Sequence, residues 1–163
     1  MSKMKWLAGT FLLGLVNHNA IADTSTNVTV KVTITASPCT VNNNKTIDVD
    51  VGSNVAVTDV AAGLVKKDIN YELDCSNMDT AKSLKMVIKG DGAEFDADVL
   101  KTSITDLGIE IKANDAKYPL NTAFNFANAE AKPALSALLV QKNGSRLDTG
   151  EFTAGATMMV DYQ

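Results

Sequence analysis

"TSTNVTVKVTITASPCTV", residues 24–41, alternates strictly with a period of two. In an extended chain Val28, Val30, Val32 and Ile34 share one face, and Thr29, Lys31, Thr33 and Thr35 share the other. Nearly all of these residues are β-branched, which suits a pleated, half-buried surface. The segment therefore reads as a well-formed strand, and a strand needs a partner to take its backbone hydrogen bonds.

Upstream of it, residues 1–22 have the pattern of a secretory signal peptide. Lys3 and Lys5 form a short basic start, Trp6 to Val16 is a mostly apolar run, and Ala20-Ile21-Ala22 is an A-x-A cleavage site. A run of eleven residues falls short of the roughly 20 that a membrane-spanning helix needs. Cleavage after Ala22 would leave residues 23–163, enough chain for one domain with its own core.

The signal carries two lysines, the only tryptophan (Trp6) and the only histidine (His18). Residues 23–163 carry 13 basic against 19 acidic side chains, a net charge of −6. That balance offers no footprint for nucleic acid or an anionic membrane. Cys39 and Cys75, an even count in an exported chain, read as a disulfide. Two thiols without a histidine fall short of a zinc site.

Beyond residue 41 the pattern is strands and turns. Alternation predicts extended segments at 45–52 (Ile47, Val49, Val51), 67–76 (Ile69, Tyr71, Leu73, Cys75), 84–92 (Leu84, Met86, Ile88, ending in a Gly-Asp-Gly turn) and 107–115 (Leu107, Ile109, Ile111, ending in a polar turn), with a weaker one at 55–60. Pro119 marks a short extended piece at 116–121 as an edge or a turn. Phe124 and Phe126 belong to a further strand. An apolar stretch from 134 runs into Asn143-Gly144, a hairpin signal. Residues 151–163 read as one long alternating strand. Alanine-rich 128–140 and the segment from Asp79 allow at most a turn of helix each. Short strands separated by turns predict an all-β fold, an antiparallel β-sandwich.

Catalytic sets are lacking. Without histidine the usual triads are out, and neither a G-x-S-x-G elbow nor a phosphate-binding glycine loop is present. The acidic run 91–98, "DGAEFDAD", departs from the EF-hand spacing and reads as a solvated turn. The sequence thus calls for no enzyme, no metal and no cofactor.

The stretch "GEFTAGATMMVDYQ", residues 150–163, resembles the C-terminal strand of chaperone–usher pilins, the family of type 1 and P fimbrial subunits. Such strands alternate, carry a penultimate aromatic (here Tyr162) and a glycine fourteen residues from the end (Gly150). "SPCTVNNNKTIDVDVG", "YELDCS" and "LGIEIKANDAKYPLN" resemble other parts of that domain, so the likeness covers residues 23–163. It implies an immunoglobulin-like sandwich that is incomplete, missing its last strand, with residues 23–37 as an N-terminal donor-strand extension and 38–163 as the pilin domain. The donor residues it implies are Thr26, Val28, Val30, Val32 and Ile34. The edge that meets a chaperone or the next donor would be Gly150, Phe152, Ala154, Ala156, Met158, Val160 and Tyr162.

The partners it implies are a periplasmic pilus chaperone, an outer-membrane usher and neighbouring pilin subunits. The location would be the surface of a Gram-negative cell, reached through the periplasm. Val32 departs from the family, which commonly has glycine seven residues before the first cysteine. That departure favours a minor or adaptor subunit contributing to cell adhesion. A major shaft pilin, a terminator and a self-contained periplasmic β-sandwich binding protein are the alternatives. A tip adhesin is disfavoured, since one domain leaves no space for a lectin module.

Overall fold

The computed structural model describes residues 38–163. The predicted donor positions Thr26, Val28, Val30, Val32 and Ile34, and the signal segment, lie outside them. Among the described residues eleven strands and one short α-helix run in the order β1 (Thr40–Val41), α1 (Val57–Ala61), β2 (Lys66–Ile69), β3 (Leu73–Asp74), β4 (Leu84–Lys89), β5 (Gly92–Ala93), β6 (Asp96–Lys101), β7 (Leu107–Ala113), β8 (Ala116–Lys117), β9 (Ala123–Phe126), β10 (Leu135–Gln141) and β11 (Thr157–Tyr162), with single 3-10 turns at Asn42–Asn44 and Ala129–Ala131.

Alternation decides the faces of the central strands. In β4, Leu84, Met86 and Ile88 are buried while Lys89 is exposed. Every ladder among the described residues is antiparallel. One sheet has the order β2-β10-β7-β6-β5 with β8 beside β7, a second has the order β11-β4-β9, and β1 pairs with β3. Their inner faces share one apolar cluster, built from Leu84, Met86, Ile88, Leu100, Ile111, Leu135, Phe126 and Val160 with Tyr71 and Tyr118. This is the sandwich the turn spacing predicts, its two sheets packed over a common core.

The two buried phenols close the core at its polar ends. Tyr71 donates to the Pro133 carbonyl at 2.6 Å and Tyr118 to the Met86 carbonyl at 2.7 Å, so neither hydroxyl is left unpaired. A smaller cluster of Val60, Leu107, Leu139 and Leu147 lies apart from the main one.

Four local expectations need correction. Residues 45–52 keep their alternation, with Ile47, Val49 and Val51 half-buried, but take part in no ladder among the described residues. Residues 57–61 form α1 instead of a strand, because Val57 and Val60 stand one helical turn apart and Val60 packs in the smaller cluster. The acidic run 91–98 is more than a turn: Gly92 and Ala93 ladder with β6 across a bulge, and Val99 and Leu100 are both buried. The Asn143-Gly144 turn follows β10, but no strand comes directly after it; the chain runs irregularly to β11.

Candidate functional site

The site is built from both ends of the described chain. At the first, Cys39 is bonded to Cys75, with Cα atoms 4.1 Å apart. Thr40 pairs with Asp74 and Val41 with Leu73, so the two cysteines continue that antiparallel register and face each other directly. Whatever the chain does before Pro38 therefore begins at a cross-linked root.

At the other end stands β11. It pairs with β4 in the register Met158 to Ile88, Val160 to Met86 and Tyr162 to Leu84, and it occupies one end of its sheet. Val160 is buried and Met158 and Tyr162 half-buried on the core side, whereas Thr157, Met159 and Asp161 are exposed. The ring of Tyr162 is held in place: its hydroxyl accepts from the Asp79 backbone N–H at 2.8 Å, and the Lys82 ammonium lies 4.7 Å from the ring centroid. Gln163 adds a bond from its own N–H to the Ser83 carbonyl at 3.0 Å.

The larger sheet ends differently. Its end strand β2 presents Lys66, Lys67 and Asp68 to solvent. Lysines on an end strand discourage another chain from pairing there. Lys66 reaches Asp115, and that bond holds the Asp115 carboxyl below and the Lys66 ammonium above their ordinary values. β11 has no lysine among its residues and only one charge, Asp161.

The segment leading into β11 divides the residues expected to share its face. Strand geometry begins only at Thr157. Ala154 and Ala156 are exposed, and Gly150 takes φ 150°, where a side chain would be strained. Phe152 turns away, packing on the smaller cluster of Val60, Leu107, Leu139 and Leu147. Thr153 is tied to Ser103 twice, its carbonyl accepting from the Ser103 N–H at 2.9 Å and its N–H donating to Ser103 Oγ at 3.0 Å. Those two bonds interrupt the continuation of β11. So Met158, Val160 and Tyr162 form one row, Ala156 and Ala154 precede it, and Phe152 belongs elsewhere.

Two open depressions flank residues 153–157. One, of about 540 Å³, is lined by Gly90, Asn121, Gly155 and Ala156. The other, of about 470 Å³, is lined by Leu100, Ser103, Ala154 and Gly155. Sequence reasoning missed Gly90 and Asn121, which join the site only through the fold. The acidic residues of β6 are engaged in ion pairs: Lys117 lies 2.8 Å from Asp96 and 3.8 Å from Asp98, and its bond holds the Asp96 carboxyl below the usual range. Among the described residues no set of His, Cys, Asp or Glu is placed to hold a metal ion.

A sandwich whose last strand stands at a sheet end, with its start cross-linked beside it, has the architecture of an assembly subunit of the pilin class. The comparisons with known proteins agree. The model of the fimbrial protein family matches residues 26–163. Two Escherichia coli proteins are similar along almost the whole chain: the fimbrial-like protein YfcQ, 29% identical over 94% of this chain and 98% of its own, and the fimbrial-like protein YfcR, 32% identical over 96% of this chain and 92% of its own.

Among solved structures, the P pilus rod subunit PapA superposes with a TM-score of 0.60 at 20% identity, covering 84% of this chain and all of PapA. The P pilus adaptor subunit PapF gives 0.53 at 23% identity over 77% of this chain and 96% of its own. The chain belongs to the fimbrial protein family: it is a chaperone–usher pilin, a structural subunit of a surface fimbrium that assembles with other pilus subunits.

Proposed function

We propose that this pilin is a minor subunit inside the fibre, joined at both ends by strand exchange. Residues 24–37 form the donor strand, with Thr26, Val28, Val30, Val32 and Ile34 entering the neighbouring subunit. β11 is the acceptor edge, through Met158, Val160 and Tyr162, with Ala156 and Ala154 extending it. Gly150 and Phe152 hold the approach to that edge.

A periplasmic chaperone lends the first strand to β11, and at an outer-membrane usher the donor of the next subunit replaces it. The route to the surface thus runs through the periplasm, and the fibre contributes to cell adhesion. The chain's part is mechanical, with no catalysis.

The observation that carries this reading is the contrast between the two end strands. β11 alternates apolar residues toward the core, while β2 is guarded by Lys66, Lys67 and Asp68. Strand addition takes affinity from main-chain bonds and register from alternating side chains. Each buried donor valine or isoleucine contributes roughly 1.5–3 kcal/mol. The disulfide between Cys39 and Cys75 then secures the root of the donor against tension along the fibre. Val32, in place of the glycine the family commonly has, supports a minor position.

The test is an unheated SDS gel of the mature chain, purified with its chaperone and incubated alone or with the other subunits of its fibre. Bands that resist SDS and collapse on boiling are expected. A chain that donates but never accepts would be a terminator, and one that does neither would end the strand-exchange reading.

A further inference from the structure

We infer that Asn143 is a site of spontaneous covalent modification: the Gly144 backbone nitrogen displaces its side-chain amide, and the turn is left holding aspartate or isoaspartate. The inference is independent of the strand-exchange reading.

The pair Asn143-Gly144 promises a hairpin, yet it stands in the irregular stretch between β10 and β11. Lys142, Asn143 and Gly144 are all exposed. The turn is closed around the pair by Ser145, whose N–H and hydroxyl both donate to the Lys142 carbonyl, at 3.1 and 2.7 Å. Between those closures the Asn143 side chain and the Gly144 N–H make no hydrogen bond among the described residues. Gly144 takes φ 76°, and a Cβ there would meet nothing within 4 Å. Its nitrogen can therefore be approached closely, and a ring that forms on it has space.

The chemistry is ring closure. The Gly144 nitrogen gives its proton to water or hydroxide and attacks Asn143 Cγ. The new N–Cγ bond forms, the Cγ–Nδ2 bond breaks, and the amide nitrogen leaves as ammonia with a proton taken from water. The cyclic imide then adds one water. Opening at one carbonyl gives aspartate; opening at the other gives isoaspartate, whose main chain runs through Cβ. Water is the only co-reactant.

The structure separates this pair from its competitors. Every other asparagine of the sequence precedes a residue with a side chain, which hinders attack by the next nitrogen. Several are also held in place: Asn114 Oδ1 accepts from the Ala134 N–H, and the Asn121 amide bonds both backbone groups of Gly90. The one Asp-Gly pair, Asp91-Gly92, could close the same ring with loss of water. There Gly92 is laddered to Leu100, its Cβ position stands 2.5 Å from the Ala97 carbonyl oxygen, and the Asp91 carbonyl accepts from the Lys101 N–H at 2.8 Å. A ring at residue 91 would have to break into β6. Exposed turns open at little cost, and laddered strands do not.

The surroundings accommodate the product. The new carboxylate falls between Lys142, which pairs with Asp106 at 3.5 Å, and Arg146, the only arginine of the chain, which makes no ion pair among the described residues. Isoaspartate adds a backbone atom between Lys142 and Ser145 and so loosens the bonds that close the turn. The change stops there, because β10 is laddered on one side and Leu147 is buried on the other.

The test incubates the full mature chain in mildly alkaline buffer and digests it with a glutamate-specific protease, which releases residues 131–151 as one peptide. Mass spectrometry should find the exchange of NH₂ for OH at Asn143, isoaspartate at that position, and none at residue 91. A synthetic peptide of residues 139–148 gives the rate of the unconstrained turn, and the folded chain should convert within about tenfold of it. Asn143→Gln, whose longer side chain closes the ring far less readily, should lose the product while keeping its disulfide.

If the peptide converts and the folded chain does not, the fold protects the turn and the inference is overturned. It is also overturned if neither converts, or if residue 91 or another asparagine converts as fast as Asn143. None of these outcomes touches the pilin reading.

Discussion

The hydroxyl of Tyr162 accepts a hydrogen bond of 2.8 Å from the backbone N–H of Asp79, 83 residues earlier in the chain. Together with the Lys82 ammonium over its ring, that bond fastens the far end of β11 to the loop that opens β4. An end strand has a ladder on one side to hold it, so an anchor at its tip keeps its row of side chains in place. Tyr162→Phe should lower stability by at most about 1 kcal/mol, since the freed N–H is exposed and water can take it. Tyr162→Ala also removes the half-buried ring and should lose about 3 kcal/mol. Urea unfolding of the peptide-complemented domain measures both; equal losses would mean that the ring contributes nothing.

The cross-link between Cys39 and Cys75 joins residues 36 apart. Removing it with the double change Cys39→Ser/Cys75→Ser should cost about 4 kcal/mol through the greater freedom of the unfolded chain. It also loosens the start of β1. The urea midpoint should fall while the slope stays constant. An unchanged midpoint would show that the ladder of Thr40 and Val41 with β3 suffices alone.

Much of this fold is legible in the sequence, and the failures have causes. β4 and β7 announce themselves because Leu84, Met86, Ile88, Leu107, Ile111 and Ala113 fall on the buried face while charged Lys85, Lys89, Glu110 and Lys112 fall on the less buried one, which is what alternation encodes. The same signal misleads at 45–52, where Ile47, Val49 and Val51 are half-buried without a ladder among the described residues. The alternation cannot tell an extended chain from a paired one. β6 is hidden because its bulge buries Val99 and Leu100 in succession and its outward residues, Asp96 and Asp98, look like a turn. α1 is hidden because Val55 and Val57 suggest period two, and only Val60 breaks the phase. In the site, Met158, Val160 and Tyr162 emerge from spacing. The diversion of Phe152 depends on a cluster assembled from four separate segments, and Gly90 and Asn121 reach the approach to β11 only once β4 and β9 are paired, so no local pattern could place them.

Alkaline unfolding should report the two core phenols. Burial pushes both Tyr71 and Tyr118 above the ordinary tyrosine value of 10.0. In the unfolded chain each ionises near that value, while in the fold each stays protonated to higher pH. Their contribution to stability is therefore complete below pH about 10 and is lost as pH rises from there through the raised folded values. Stability measured from pH 8 upward should be level and then fall above about 10. Tyr71→Phe should flatten part of that fall while lowering stability at neutral pH by about 1–3 kcal/mol, because the Pro133 carbonyl loses its 2.6 Å donor inside the core. An alkaline limb identical in the variant would remove Tyr71 from the account.

The donor alternation makes the sharpest distinction between faces. Val30→Asp places a carboxylate on the face that the proposed donor strand turns inward. An unpaired charge there has no partner, and its desolvation costs several kcal/mol, comparable to all that one or two buried valines contribute. Joining to the next subunit should fall below detection on the unheated gel, while the variant's own domain keeps its disulfide and its urea midpoint, because the strand-exchange reading puts residue 30 in the extension and outside the sandwich. Thr29→Asp adds the same charge one residue away, on the outward face, and should join within about threefold of the parent, since exposed charges are weakly coupled. The pair of variants separates charge from facing. If both block joining, charge on the extension is the cause and the alternation carries no register. If neither does, residues 24–37 are not the donor strand. Only the split result, Val30→Asp inactive and Thr29→Asp active, agrees with a strand whose even-numbered residues enter the neighbouring core.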